Sequence, residues 1–379
     1  MAEVGVATGE GVRVLGGFAA FGAFWGAWGA ALPAVQAHAG VSDGQLGVAL
    51  LFIGAGALLS MRLAGTLFDR LGAAALPLTM TAFGAAAALP GLATSTVGLS
   101  AALFALGAAS GAVDVAINAE GTRSETVTGR PILSLAHGTF SACVVIGSLA
   151  TGGMRAAGAG AELVLGLVGA IVVAIAIGLS RAPAAGDGAV VPARASLRHL
   201  PRILLVLGAL CALAFFVENA WQSWGAVHLE SDLDASPALG SLAPALFAGA
   251  AATSRLGGHA LLGRFDEIAI MRAGATAGAA GTLLAAVAPV AALALVGIVV
   301  AGAGVSICAP ILFSLAGRNA DEAVRGAAVS VVTTIAYLGF LVGPAAVGLL
   351  ADATTLRGSL ACAGAVALLL AALAGRARP

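Results

Sequence analysis

The chain has no lysine: all 18 basic residues among its 379 are arginine. A P-loop of the form G-x-x-x-x-G-K-[ST] cannot be built without one, which excludes that mode of ATP binding. Charge of either sign is scarce, at 9% of residues, where soluble domains carry roughly 25%. A soluble fold has no means of burying a chain that is 60% hydrophobic, because core volume grows too slowly with length. The net charge is zero, which argues against a nucleic-acid partner. The 4 cysteines (Cys143, Cys211, Cys308, Cys362) fall inside apolar runs with no CxxC or metal-ligand spacing. They read as small membrane-core residues, so neither a metal nor another cofactor is expected. No nucleophile elbow with triad partners occurs, so no catalytic residue and no enzyme activity are expected. Residues 1–12 read as a short polar cytoplasmic tail, and the apolar run after them is too long for a signal-peptide core.

What fills the chain instead is apolar sequence in lengths that suit a bilayer. A spanning helix needs about 20 apolar residues. Breaks at charged or turn-rich points give six candidates near 13–35, 44–66, 74–94, 97–119, 131–153 and 162–180. Six more lie near 203–227, 238–260, 273–289, 291–316, 326–350 and 358–375, with the ninth and tenth joined near Pro289. The expected fold is an all-α membrane protein of twelve transmembrane helices. Arginine placement tests the count, since basic residues favour the cytoplasmic side. On this map Arg155 and Arg357 lie on one side and the other sixteen of the 18 on the opposite side. Both termini are therefore expected in the cytoplasm. The 54 glycines and abundant alanine suit a GC-rich bacterial gene, so the expected location is the bacterial cytoplasmic (inner) membrane.

The longest polar stretch, 181–202, carries three prolines and four arginines. It reads as a flexible cytoplasmic linker between an N-terminal six-helix bundle, 1–180, and a C-terminal one, 203–379. The halves resemble each other. Ser60-Met-Arg62-Leu-Ala-Gly65 parallels Ser254-Arg255-Leu-Gly-Gly258 at an offset of 193 between the arginines (255 − 62). The same offset carries Trp25 and Trp28 onto Glu218 and Trp221. Two pseudo-symmetric halves of six are expected of a transporter with its site at mid-membrane.

After span two the chain reads Gly65-Thr-Leu-Phe-Asp69-Arg70-Leu-Gly72. This resembles the G-x-x-x-D-R-x-G signature of the major facilitator superfamily at its usual place. The resemblance implies a gating motif formed by Gly65, Asp69, Arg70 and Gly72. Two departures stand out: Ala73 and Ala74 replace the usual basic pair, and the second-half copy, Gly258 to Arg264, lacks the acid. Span four carries Asp114-Val-Ala-Ile-Asn118, an acid and an amide on one helix face. This is similar to the fucose/hexose–proton symporter branch, where such a pair lines the sugar cavity and carries the proton. Span five, with His137, is also similar to that branch, and span seven resembles motifs of its uncharacterised relatives.

Asp114 and Glu218 are the candidate proton-coupling residues. A carboxylate at membrane depth is costly, about 2.5–3.5 kcal/mol on the insertion scale, and is seldom retained without use. The alternative for each is a structural hydrogen bond or ion pair. Candidate solute contacts are Asn118, His137, Asn219, Trp221 and Gln222, with Trp25 and Trp28 by symmetry. Acid, amide and indole on one face suit a polar solute; helix packing is the alternative for the tryptophans, and a satisfied core histidine for His137. Arg62 and Arg255 read as anchors near cytoplasmic helix ends. Glu230, Asp232 and Asp234 read as a solvated turn. The function expected is proton-coupled movement of a small polar, sugar-like solute by a monomer in the bilayer; efflux of drugs or metabolites is the alternative. Against efflux, span four lacks an intramembrane arginine and span five a Gly-Pro pair.

Overall fold

The structure is a computed structural model that describes residues 9–182, 202–262, 264–320 and 325–378. For residues 9, 10, 62, 64–69, 259, 260 and 262 the backbone alone is described. The expected linker therefore lies almost wholly outside the described residues.

Among them the regular structure is helical. The N-terminal helices are α1 (Gly9–Ala39), α2 (Asp43–Leu71), α3 (Ala75–Ala87), α4 (Thr96–Thr128), α5 (Ile132–Ala156) and α6 (Ala161–Ser180). Then follow α7 (Arg202–Asp232), a single turn α8 (Pro237–Gly240), α9 (Leu242–Leu262) and α10 (Glu267–Val287). The chain closes with α11 (Ala291–Val305), α12 (Cys308–Arg318), α13 (Arg325–Ala353) and α14 (Leu356–Leu373). Counting α11 and α12 as one segment, 11 are long and apolar enough to cross a membrane. The twelfth, α9, has the length but is diluted by Thr253, Ser254, Arg255 and His259. This is the expected all-α protein of twelve spans.

Three boundaries depart from the expected ones for identifiable reasons. Span three stops at Ala87 and tightens into a 3₁₀ turn over Leu89–Leu92, because Pro90 has no N–H to continue the ladder. Span four runs on to Thr128. There Thr122, Thr126 and Thr128 turn their hydroxyls back to carbonyls four residues earlier, and Gly129 ends the helix at φ +68°. Hydropathy marks where lipid ends, and a helix need not end with it. Likewise α7 continues through Asp232. The acid expected in a solvated turn is helical and bonds His228 Nδ1 at 2.7 Å.

The chain forms two compact units, one of Met1–Gly40 with Phe52–Val191, the other of Val41–Leu51 with Pro192–Pro379. In the first, α1 packs along α5, and α3 along α6. Backbone touches backbone at these crossings. A Cβ on Gly22 would fall on the Phe140 carbonyl, on Gly26 on that of Val144, and on Gly147 on that of Ala23. Small residues at the crossing let helices approach closely, the main packing device available in lipid. In the second unit α7 packs along α13 and α10 along α14, the same pairs six spans later. Gly339 abuts the Ala212 carbonyl and Gly343 that of Phe216. Phe216 is Ala23 moved by 193 residues (216 − 23), so the repeat extends to individual contacts. Large apolar side chains such as Leu135, Ile146 and Leu256 stand exposed, which only a lipid-embedded fold tolerates widely.

Candidate functional site

In the second unit the site begins with two prolines. A proline in a helix cannot donate to the carbonyl four residues back, and a carbonyl left unpaired in lipid is costly. Pro310 frees the carbonyl of Ser306, at the break between α11 and α12, and Arg255 Nε donates to it at 3.3 Å. Pro344, inside α13, frees the carbonyl of Phe340, and Asn219 Nδ2 donates to it at 2.5 Å. Trp224 Nε1 donates to the carbonyl of Pro344 itself at 3.0 Å. Asn219 and Trp224 thus hold α7 against α13 at Pro344.

Arg255 also reaches Glu218. Its Nη2 lies 2.9 Å from Oε1 and 3.1 Å from Oε2. The Glu218 side chain is 7% exposed and the Arg255 side chain 41%. A buried carboxylate without its counter-charge is costly by several kcal/mol, so the two residues are one electrostatic unit. The anchor read at Arg255 is thus an ion pair with Glu218 and a bond to the Ser306 carbonyl. Ser254 donates to the Ala303 carbonyl at 2.5 Å, fixing this stretch of α9 against α11.

The other span-seven candidates separate by burial. Trp221 is fully buried, its Nε1 donating to Thr282 Oγ1 at 3.1 Å. A side chain sealed between α7 and α10 serves packing. Gln222, one residue on, is half-buried. Trp28, the symmetry mate of Trp221, is also buried and stacks on Phe24 at 6.5 Å between ring centroids. Trp25 is half-buried, with Phe21 and Phe24 edge-on to it.

In the first unit Asn118 Nδ2 donates to Asp114 Oδ1 at 3.2 Å and to the Asp114 carbonyl at 2.8 Å. Both side chains are half-buried, so the acid–amide pair read from i, i+4 spacing forms. His137 is exposed on α5, its ring edge-on to Phe18 at 4.9 Å. The first unit thus holds a partly open acid, an amide, an imidazole and an aromatic rim. For the gating motif, Gly65 and Asp69 lie among residues whose side chains are not described. Arg70 is exposed, and Gly72 takes φ +50°, a left-handed turn that favours glycine.

Two charge clusters escaped the sequence reading. Arg13 Nε pairs with Glu120 Oε1 at 2.8 Å, both buried. The same guanidinium donates to the carbonyls of Leu179 at 3.2 Å and Ala73 at 2.6 Å, tying α1, α4, α6 and the start of α3. At the far end of the second unit, buried His228 bridges Asp232 Oδ2 and the Ala285 carbonyl, at 2.7 and 3.0 Å. Arg357 donates to the Asp232 carbonyl at 2.9 Å. No local spacing announces Arg13 with Glu120 or Arg357 with Asp232, each more than a hundred residues apart, although a lone Arg13 opening an apolar run was a signal that it needed an acid, and His228 with Asp232 stood at i, i+4 spacing.

Comparison with known proteins agrees with this architecture. The sequence profile described as Major Facilitator Superfamily matches residues 13–344 and, in a second alignment, 220–379. An uncharacterised MFS-type transporter of Yersinia pestis is 32% identical over 356 residues, 92% of this chain and 89% of that protein. The membrane protein MosC of Rhizobium meliloti is 27% identical over 90% of this chain and 83% of its own. Among solved structures, the nucleoside transporter NupG superposes with a TM-score of 0.79 at 14% identity, covering 97% of this chain and 98% of that one. A D-xylose–proton symporter superposes at 0.72 with 14% identity, covering 95% and 96%. At such identities these structures share the fold alone. Eleven apolar spans with α9 as the twelfth helix, two repeated units and a profile covering nearly the whole chain lead to one assignment: the protein belongs to the major facilitator superfamily, a multi-pass membrane transporter and not an enzyme.

Proposed function

We propose that the protein moves a small polar, sugar-like solute across the bacterial inner membrane together with protons, driven by their gradient, with Asp114 and Glu218 as the carboxylates that take and release the proton. The observation that carries this reading is their placement. Each lies well inside a long apolar helix, and each has a single side-chain hydrogen-bonding partner among the described residues: Asn118 for Asp114, Arg255 for Glu218. A carboxylate at that depth, held by one replaceable partner, is neutral in one conformation and ionised in another, which links protonation to conformation. The acid-x-x-x-Asn pair is the feature similar to the fucose/hexose–proton branch, and a xylose–proton symporter shares the fold. In this reading Asn118, His137, Trp25 and Gln222 meet the solute, while Trp28, Trp221 and Asn219 hold the helices that present them. The protein acts as a monomer with both termini in the cytoplasm, and Asp69 and Arg70 latch the outward-open state.

The test starts from a thermal-shift screen of sugars and nucleosides on purified protein, followed by reconstitution with the solute it selects. Asp114→Asn and Glu218→Gln each abolish accumulation driven by a pH gradient but leave counterflow, which needs no net proton movement. If both variants accumulate solute like the parent, neither acid couples transport to protons.

A further inference from the structure

We infer that Arg255 is a docking point for an acidic group on the transported solute, and that Glu218 is the resident counter-ion which that group displaces. The inference rests on the proposed role of Glu218 in proton exchange and adds the chemical class of the solute.

The pair is lopsided. Glu218 is sealed at 7% exposure while the Arg255 side chain taken whole is 41% exposed. Arg255 lies about two turns from the end of α9 (262 − 255 = 7 residues). A charged side chain at that depth is seldom tolerated against hydrocarbon, which is why an arginine there marks a polar pathway. Its hydrogen bonding is also incomplete. Nε is committed to the Ser306 carbonyl and Nη2 to both oxygens of Glu218. Among the described residues Nη1 has no acceptor. A guanidinium edge with one free nitrogen and one shared nitrogen matches the two oxygens of an incoming carboxylate, which takes Nη1 outright and competes for Nη2. The Ser306 carbonyl, freed by Pro310, holds the fork in place through Nε while this exchange occurs.

Displacement leaves Glu218 buried without a counter-charge. Around it α7 itself contributes Cys211 and α12 contributes Cys308. In the adjoining stretch of α13 the titratable residue is Tyr337. On α14, Arg357 is engaged at Asp232, about four turns away along α7 (232 − 218 = 14 residues). None of these replaces Arg255, so Glu218 takes one proton from water and becomes the neutral acid. One anion and one proton enter together, and the charge of the loaded site is unchanged. When the solute leaves, Arg255 recaptures Glu218 and the proton returns to water. The solute class this selects is a polar acid, such as a sugar acid or hydroxy acid, in preference to its neutral counterpart.

The experiment uses the full-length protein in detergent and matched pairs of probes: glucuronate against glucose, gluconate against sorbitol, lactate against propane-1,2-diol. At least one acid raises the melting temperature of the parent while its neutral partner does not. Arg255→Gln weakens that binding by more than about tenfold, and Arg255→Lys restores part of it, which separates lost charge from lost fold. Glu218→Gln binds the acid at least as tightly as the parent does. In weak buffer the parent takes up about one proton per bound anion by this stoichiometry, and Glu218→Gln takes up none. If no acid binds, or Arg255→Gln leaves acid binding unchanged, the anion site is overturned. A neutral sugar that binds, accumulates on a pH gradient and ignores Arg255→Gln overturns it too, while sparing the proton-coupled reading. Anion binding without proton uptake overturns the displacement and, with it, the coupling role of Glu218.

Discussion

At the scale of the residue, hydrogen-bond supply around proline governs much of the second unit. Asn219 was legible in the sequence as a polar residue beside Glu218, and by that adjacency it joined the candidate solute contacts. Its partner, the Phe340 carbonyl, is 121 residues away and is free only because Pro344 lacks an N–H. The amide at 219 and the proline at 344 each stood in plain view; what tied them did not. Asn219→Ala should destabilise the protein by about 1–3 kcal/mol, the cost of a buried carbonyl left unpaired. Adding Pro344→Ala restores an N–H to that carbonyl, so the double variant should unfold above Asn219→Ala in a thermal melt in detergent. A double-mutant melt lower than the single would show that Asn219 holds something else. Arg13 and Glu120 make a second case. Removing one partner of a buried pair costs about 3–5 kcal/mol, so Arg13→Gln should lower the melting temperature far more than Arg123→Gln. Arg123 sits 3.9 Å from the same carboxylate and is itself partly exposed.

At the scale of the helix, the sequence was readable wherever hydropathy alone decides. All twelve expected spans coincide with described helices, including the join near Pro289 between α10 and α11. Which face of a helix is open was much less readable. Trp221 and Gln222 are neighbours in sequence and both lie a helical step from Glu218, yet one is sealed against Thr282 and the other is half-buried. Position on a helical wheel says which residues share a face, and only the neighbouring helices say whether that face is covered. α7 is covered on several sides by α13, α14, α9 and α12. The glycine crossings give a sharper test. Gly339→Leu places a side chain into the Ala212 carbonyl and should prevent recovery of monodisperse protein on gel filtration. Gly166→Leu, on α6 with open space where its Cβ would lie, should yield protein like the parent. Equal recovery of the two variants would mean that α7 and α13 do not pack this closely.

At the scale of the whole molecule, the arginine asymmetry makes a commitment that apolar helices alone do not. A green fluorescent reporter fused at the C-terminus should fluoresce, and alkaline phosphatase inserted in 233–236 should be active, placing the two sites on opposite sides of the membrane. Activity of both reporters on one side would remove a span from the map. Asp69→Asn should slow transport severalfold while leaving solute affinity within a few fold, since a latch changes the rate of interconversion more than the binding site. Unchanged transport would leave the motif without a gating role here. The duplicated halves were legible through one short repeat because small residues at helix crossings tolerate little change, while the charges built onto those crossings drifted apart: Trp25 in one half answers to Glu218 in the other. Descent leaves a further trace. A carbonyl released by a proline and claimed by a distant side chain binds the fates of two codons. A lineage that replaced Pro344 would no longer need an amide at 219, and one that replaced Pro310 would loosen one of the two holds on Arg255. In an alignment of relatives, positions 219 and 344 should therefore change together more often than either changes with its neighbours in sequence.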